Sequence, residues 1–257
     1  MGHNPPTVVP LSQLRSTVFF RWLQHLKLTS DIRHEIPFLP WLEQIKTLEI
    51  TSGKIPGYSL SLNLPLTQTL QCLKLDVLIS SWMLGRTFKA LREFHNRGPL
   101  FGLVGMSEHE GLQTGLPACT ALELMGYPVN EFRFLSCSNV RSLSWSYTIA
   151  WTTLDLIALN SIRDFLFNLP CLQTLHIIGL PVSGLDSLIQ VVFCDAREQG
   201  AWRDIRSVET EVWCGRSSEG LHFFNRAVGQ QHVYEKWWKE FTVTKVDRGK
   251  VMVRASA

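Results

Sequence analysis

Eight times along this 257-residue chain the pattern L-x-x-L-x-L, or a close variant of it, comes back. The fullest copy sits in NSIRDFLFNLPCLQTLHIIG, residues 160–179. Ser161 and Asp164 stand three apart, as in a box that caps the start of a helix. Ile162, Phe165, Leu166 and Leu169 follow at i, i+3, i+4 and i+7, one apolar helical face. Pro170 ends that helix, because it has no N–H to donate and disfavours helical dihedrals in the residue before it. Leu172-x-x-Leu175-x-Ile177 then alternates apolar and polar residues, the period of a strand with one buried face.

The other copies are Leu23-x-x-Leu26-x-Leu28, Ile45-x-x-Leu48-x-Ile50, Leu70-x-x-Leu73-x-Leu75, Leu91-x-x-Phe94-x-Asn96, Cys119-x-x-Leu122-x-Leu124, Val140-x-x-Leu143-x-Trp145 and Ile205-x-x-Val208-x-Thr210. Their central residues fall at 26, 48, 73, 94, 122, 143, 175 and 208, so the gaps are 22, 25, 21, 28, 21, 32 and 33. A strand and a helix repeated at such intervals predict an α/β leucine-rich-repeat solenoid, an irregular horseshoe of about eight coils. The longer last gaps call for longer helices, one of them over 184–199. A single irregular α/β domain with leucine-rich strands is the other architecture that meets the pattern. The expected organisation is a lead-in over 1–20, the solenoid over 21–216 and a C-terminal helical and hairpin cap over 217–257. In that cap a helix carries Leu221, Phe224 and Val228 on one face and stops at Gly229. Val233, Trp237 and Phe241 form a stripe with Tyr234 and Trp238 beside it. Arg248-Gly249 turns between strands 242–246 and 250–254. A solenoid needs such a lid, because its last coil otherwise exposes a core edge. Between the repeats, 84–91 predicts a short helical turn and 96–116 a long loop.

Composition narrows the function classes. A hydrophobic share of 45% and 18% charged residues suit a packed globular chain, and a net charge of +3 makes no strong electrostatic demand for nucleic acid or acidic lipid. The six cysteines form no C-x-x-C pair and predict reduced, packed thiols in an intracellular protein, cytoplasmic or nuclear. MGHNPPTVVPLSQL lacks the basic start and long apolar core of a signal peptide. Residues 55–73 and 165–185 contain no Lys, Arg, Asp or Glu, but their prolines and their strand and helix periods argue against a membrane span.

The runs LQCLKL, MLGRTFKALREF, LPACTALEL, FLSCSNVRSLSW and FNLPCLQTLHI resemble those of fungal leucine-rich-repeat proteins of the F-box-associated type, over about residues 40–210. In that family an F-box recruits a ubiquitin-ligase adaptor and the repeats hold the substrate. The resemblance therefore implies a protein-interaction module, a substrate receptor or the remnant of one. Residues 1–40 lack a recognisable F-box. The chain also departs from the usual repeat at the turn after each strand, where an asparagine or cysteine is expected. Asp31, Gly53, Leu78, Pro99, Tyr127, Thr148, Leu180 and Trp213 stand there.

No chemical motif competes with this reading. His34-Glu35 and Glu108-His109-Glu110 lack the second histidine of H-E-x-x-H, and no phosphate-binding glycine loop or G-x-S-x-G occurs. Cys214 and His222 have no flanking sequence that supports a nucleophile and its base. Lys236-Trp-Trp-Lys239 mixes basic and aromatic residues, but at the spacing of a packed face. The expectation is no catalytic residue, no cofactor and no metal, with an enzyme of unrecognised type as the alternative. Partner binding is expected on the concave face, where the residues flanking each central leucine point outward. That strip pairs His25 with Lys27, Thr47 with Glu49, Cys72 with Lys74, Glu93 with His95, Ala121 with Glu123, Ser142 with Ser144, Thr174 with His176, and Ser207 with Glu209. Lys27, Glu49, Lys74, Glu93, His95, Glu123, Ser144, His176 and Glu209 are its candidate binding residues. A strip of mixed sign suits a protein partner; a phosphate backbone needs clustered Lys and Arg.

Overall fold

A computed structural model describes residues 23–29, 44–51, 67–76, 83, 85–97, 113–125, 135–146, 163–181, 204–213, 224–225, 227–229, 231–246 and 250–257. Eight of its strands carry the central and third positions of the eight motifs. They are β1 (His25–Thr29), β2 (Thr47–Thr51), β3 (Cys72–Asp76), β4 (Glu93–Asn96), β6 (Ala121–Met125), β8 (Ser142–Ser146), β9 (Thr174–Pro181) and β10 (Ser207–Trp213). The remaining strands are β5 (Thr114–Gly115), β7 (Leu135–Ser136), β11 (Glu240–Val246) and β12 (Lys250–Ser256). One open sheet of ten strands runs β1-β2-β3-β4-β6-β8-β9-β10-β12-β11. Its first eight strands are parallel and lie side by side in chain order. The molecule is thus a mixed α/β chain built on a large, mostly parallel sheet, with only short helical stretches among the described residues, at 163–167, 224–225, 227–229 and Gln231–Tyr234.

The pairing joins central residue to central residue without a slip: Leu26, Leu48, Leu73, Phe94, Leu122, Leu143, Leu175 and Val208 form one row. A slip of one residue would turn every side chain to the other face, so burial of this row fixes the register. From Leu48 to Val208 all seven are at most 2% exposed. Ile45, Leu70, Leu91, Cys119, Val140, Leu172 and Ile205 form a second buried row at the strand entrances, and Ile50, Leu75, Leu124, Trp145 and Ile177 lie in a third. Each such side chain contributes about 1.5–3 kcal/mol by leaving water. Asn96 and Thr210 occupy the third row as fully buried polar residues.

The strand entrances are stitched by backbone. The carbonyls of Gln24, Lys46, Gln71, Arg92, Thr120, Arg141 and Gln173 each accept two N–H groups from the strand that follows, at 2.7–3.2 Å. The Arg206 carbonyl, eighth in this line, accepts the Ala257 N–H at 2.9 Å.

Behind the main sheet, β5 pairs parallel with β7, and Thr87 bridges to Gly115. The expected helical turn over 84–91 is therefore a non-helical turn and a bridge. Arg86 N–H closes on the Met83 carbonyl, and Phe88, fully buried, donates its N–H to Gly115. The approach is tight: a Cβ on Gly115 would lie 2.8 Å from the Thr87 hydroxyl oxygen. Phe88, Leu116, Cys137 and Leu169, each six residues before a central residue, are all buried. This outer beat of the repeat is readable in the sequence once the register is known. Phe165, Leu166 and Leu169 are buried on the helical stretch 163–167 and its exit, as their spacing predicts. Ser161, the helix over 184–199 and the loop residues 98–112 lie outside the described residues.

At the C-terminal end β12 runs antiparallel along β10 and pairs with β11. The aromatic stripe is displaced from the expected one. Tyr234, Trp238 and Phe241 are buried, at 3–4% exposure, while Trp237 is 37% and Val228 41% exposed; Ala227 is buried in place of Val228. The reason is local. The helix ends at Tyr234, whose carbonyl accepts both the Trp237 and Trp238 N–H groups, and Phe241 already belongs to β11. Phe241 stacks on Tyr234 with ring centroids 4.6 Å apart. Gly229 is the last described residue of the helical stretch 227–229.

Two outcomes follow from this packing. Thr210 is 1% exposed and its hydroxyl has no hydrogen-bond partner among the described residues. Thr210→Val, which keeps the shape and removes that group, should raise stability by roughly 1 kcal/mol in urea unfolding; a fall of similar size would mean the hydroxyl is paired. Deleting residues 240–257 removes β11 and β12, and with β12 its seven residue pairs with β10. Hydrogen exchange on the truncated chain should show lost protection in β10 and then β9, with β2 to β6 little changed. Equal protection throughout would show that β10 does not depend on β12.

Candidate functional site

Because the central residues point inward, the residues on either side of them point out. In register, Lys27, Glu49, Lys74, His95, Glu123, Ser144, His176 and Glu209 form one row across eight strands, which Arg254 of β12 continues. Glu93 lies one residue pair nearer the entrances, in the row with Cys72 and Ala121. All nine sequence-predicted candidates therefore share one face of the sheet. Their exposure differs: Lys27, Lys74 and Glu93 are exposed, the remaining six intermediate.

The row mixes the two signs and pairs largely with itself. Lys27 Nζ meets Glu49 Oε1 at 2.5 Å. His95 Nδ1 lies 2.7 Å from Glu123 Oε2, and Arg97 Nε donates to Glu123 Oε1 at 3.2 Å. Glu209 lies 3.2 Å from Arg254 and 3.9 Å from His176. One step above, Lys250 Nζ donates to Glu211 at 2.7 Å. The hydrogen bond from Lys27 holds the Glu49 carboxyl below the ordinary carboxylate value. Burial works against the charge on Glu123, but the hydrogen bonds and charges of His95 and Arg97 outweigh it and hold its carboxyl below the ordinary value. Between these pairs Glu49, Lys74, Asp76, His95, Arg97 and Glu123 line a depression of about 240 Å³.

Beside the depression three donors converge. Cys72 Sγ, a Glu93 carboxylate oxygen and a His95 ring nitrogen lie within 4.8 Å of one another. Residues 72 and 93 are distant in sequence and meet because β3 and β4 pair Cys72 with Glu93. Sequence reading missed this group: it set Cys72 on the outward strip beside Lys74 but did not join it to Glu93 and His95, and only the register aligns it with Glu93-x-His95. A second outward feature was missed as well. Lys46, Arg92, Arg141 and Arg206 are exposed at alternate strand entrances, with Gln24, Gln71, Thr120 and Gln173 between them and no acid in the row.

Cys119 and Cys137 are buried, and burial pushes both thiols up to about 12, so they are packing residues. His34, Glu35, Glu108, His109, Glu110, Cys214 and His222 lie outside the described residues. No helix among the described residues is long and apolar enough to cross a membrane. Comparison of the chain with protein-family models, with curated proteins and with solved structures gave no match.

The two depressed carboxyls set an acid dependence. A folded-state value below the unfolded one contributes stability that is present above the ordinary value of 4.5 and is lost as pH falls through it and through the folded value. Replacing Glu49 and Glu123 together by Gln should flatten the stability profile below about pH 5, by a total of about 2 kcal/mol at most for two such surface groups. A profile parallel to that of the parent chain would show that neither pair persists in solution.

Proposed function

We propose that the chain is a leucine-rich-repeat module whose open strand face holds a protein partner. One observation carries this reading: the third-position row presents eight outward side chains, acidic, basic and neutral, across eight adjacent parallel strands. At about 4.8 Å per strand the row is roughly 34 Å long. Its depression, about 240 Å³, is smaller than the roughly 300–1,000 Å³ of small-molecule sites. Mixed charge on an extended, shallow face matches a polypeptide better than a phosphate backbone. The repeat reading is supported by motifs that each lead into a strand, in chain order and one register, with two short strands and one isolated bridge behind three of them. Residues 217–257 then act as the lid of the last repeat, through β12 and the buried Tyr234, Trp238 and Phe241. The free thiols of Cys72, Cys119, Cys137 and Cys171 agree with a reducing, intracellular setting. The resemblance to F-box-associated proteins adds the role of a substrate receptor, or the remnant of one, to this reading.

An enzyme reading would take Cys72, His95 and Glu123 as nucleophile, base and orienting acid. The thiol argues against it. Burial, then the charge and hydrogen bond of Glu93, push Cys72 up to about 11. At neutral pH only roughly one such thiol in ten thousand is ionised, whereas a catalytic cysteine needs its thiolate.

The test is affinity purification with mass spectrometry of the parent chain and of Lys74→Glu/Ser144→Arg, which alters the face and leaves the buried rows untouched. The double variant should keep its circular dichroism spectrum and lose the parent's specific partners. The same partners at the same enrichment would overturn the face as a binding surface. Recovery of cullin-ligase components with the parent chain supports the ligase branch; their absence beside a retained partner removes that branch alone.

A further inference from the structure

We propose that Cys72 Sγ, the Glu93 carboxylate and His95 Nε2 form a binding site for a zinc ion, with Glu123 as the outer partner that orients His95. The proposal stands on the arrangement of these four side chains and holds whether or not the face also binds a protein.

The donor set is the first argument. A thiolate, an imidazole and one carboxylate suit zinc; calcium and magnesium take oxygen donors alone. The three donor atoms already lie within 4.8 Å of one another, and a tetrahedral zinc needs them about 3.3–3.6 Å apart. Cys72 and Glu93 are opposite residues of paired strands, and His95 follows Glu93 by two on the same face.

The state of His95 is the second argument, independent of the first. Its Nδ1 lies 2.7 Å from Glu123, which Arg97 holds from the other side. An ionised carboxylate only accepts, so Nδ1 carries the proton and donates it. In the neutral ring that leaves the lone pair on Nε2. This atom is shielded from solvent, has no hydrogen-bond partner among the described residues, and sits 3.6 Å from Glu93 Oε2. A carboxylate behind a histidine that points its other nitrogen at a metal is the usual outer arrangement of zinc sites. Glu93 is half exposed, so the outer side is open and the fourth position of the ion faces the strip.

In the metal-free chain the Cys72 thiol is protonated and hydrogen-bonded to Glu93. Zinc forms the Zn–S bond as the S–H bond breaks, and one proton leaves to solvent for each ion bound.

The measurement is titration of the purified full chain with Co²⁺ as the spectroscopic probe, followed by Zn²⁺ displacement. The parent chain should take up one Co²⁺ with a thiolate-to-cobalt charge-transfer band and release one proton. Cys72→Ser should abolish the band. Glu123→Gln should keep it but weaken affinity by about 10- to 100-fold, the range seen when an outer partner is lost. His95→Gln, judged by stoichiometry and proton release, gives the same test should the serine variant fold poorly. Absence of stoichiometric binding to the parent chain overturns the proposal. So does a band that survives Cys72→Ser, or binding unchanged in His95→Gln.

Discussion

Seven backbone carbonyls, each shared by two N–H groups of the next strand, hold the parallel sheet together at its entrances. A carbonyl has two lone pairs, and using both at this point pairs the donors that lead into every strand while the chain is still turning. The device needs no particular side chain. Glutamine, lysine, arginine and threonine all occupy these positions, with their side chains turned to water or partly so. The buried rows can then be chosen for volume alone, which is why Cys119 and Val140 stand in one row with Leu70 and Leu91. Where the line would end, at Arg206, the chain brings Ala257 back to occupy the carbonyl.

That regularity also fixes the chemistry of the face. Strands in strict register place every third-position side chain beside its counterpart, so opposite charges meet across strands and like charges are kept apart. Lys27 with Glu49, and Glu123 with both His95 and Arg97, compensate one another within the sheet. A face neutralised in this way offers a partner shape and hydrogen bonding more than a field. Cys72, Glu93 and His95 depart from the pattern: here a thiol, a carboxylate and an imidazole from two adjacent strands converge within 4.8 Å.

The main strands could be read from the chain because three apolar positions per repeat constrain each of them, and even Asn96 and Thr210 did not spoil the alignment of their rows. Their neighbours were less legible for physical reasons. Thr114–Gly115 and Leu135–Ser136 are too short to show a period of two, and the turn at 83–88 borrows its hydrogen bonds from Gly115, which no local pattern reveals. The Tyr234, Trp238, Phe241 set was displaced because a helical spacing was carried past the residue where the helix stops. The nine face residues were legible as outward positions. Cys72 as a neighbour of His95 was not, since only the pairing of β3 with β4 brings a residue of one repeat against the next.

Gly179, at a φ of 79°, takes up one extra residue of β9 opposite β10, and the register shifts there so that Leu180 pairs with Val212. Glycine tolerates this dihedral where other residues are strained. With the bulge β9 and β10 reach eight and seven residues, and β11 and β12 seven each, where β1 to β8 stop at five or fewer. At about 3.3 Å per residue the sheet is roughly 7 Å taller at this end. The face is therefore broader along the strands at one end, and the strip runs past Ile178 and the Lys250–Glu211 pair at that end only. A strip of that form has a direction: a segment laid along it in reverse would bring different residues to the broad end.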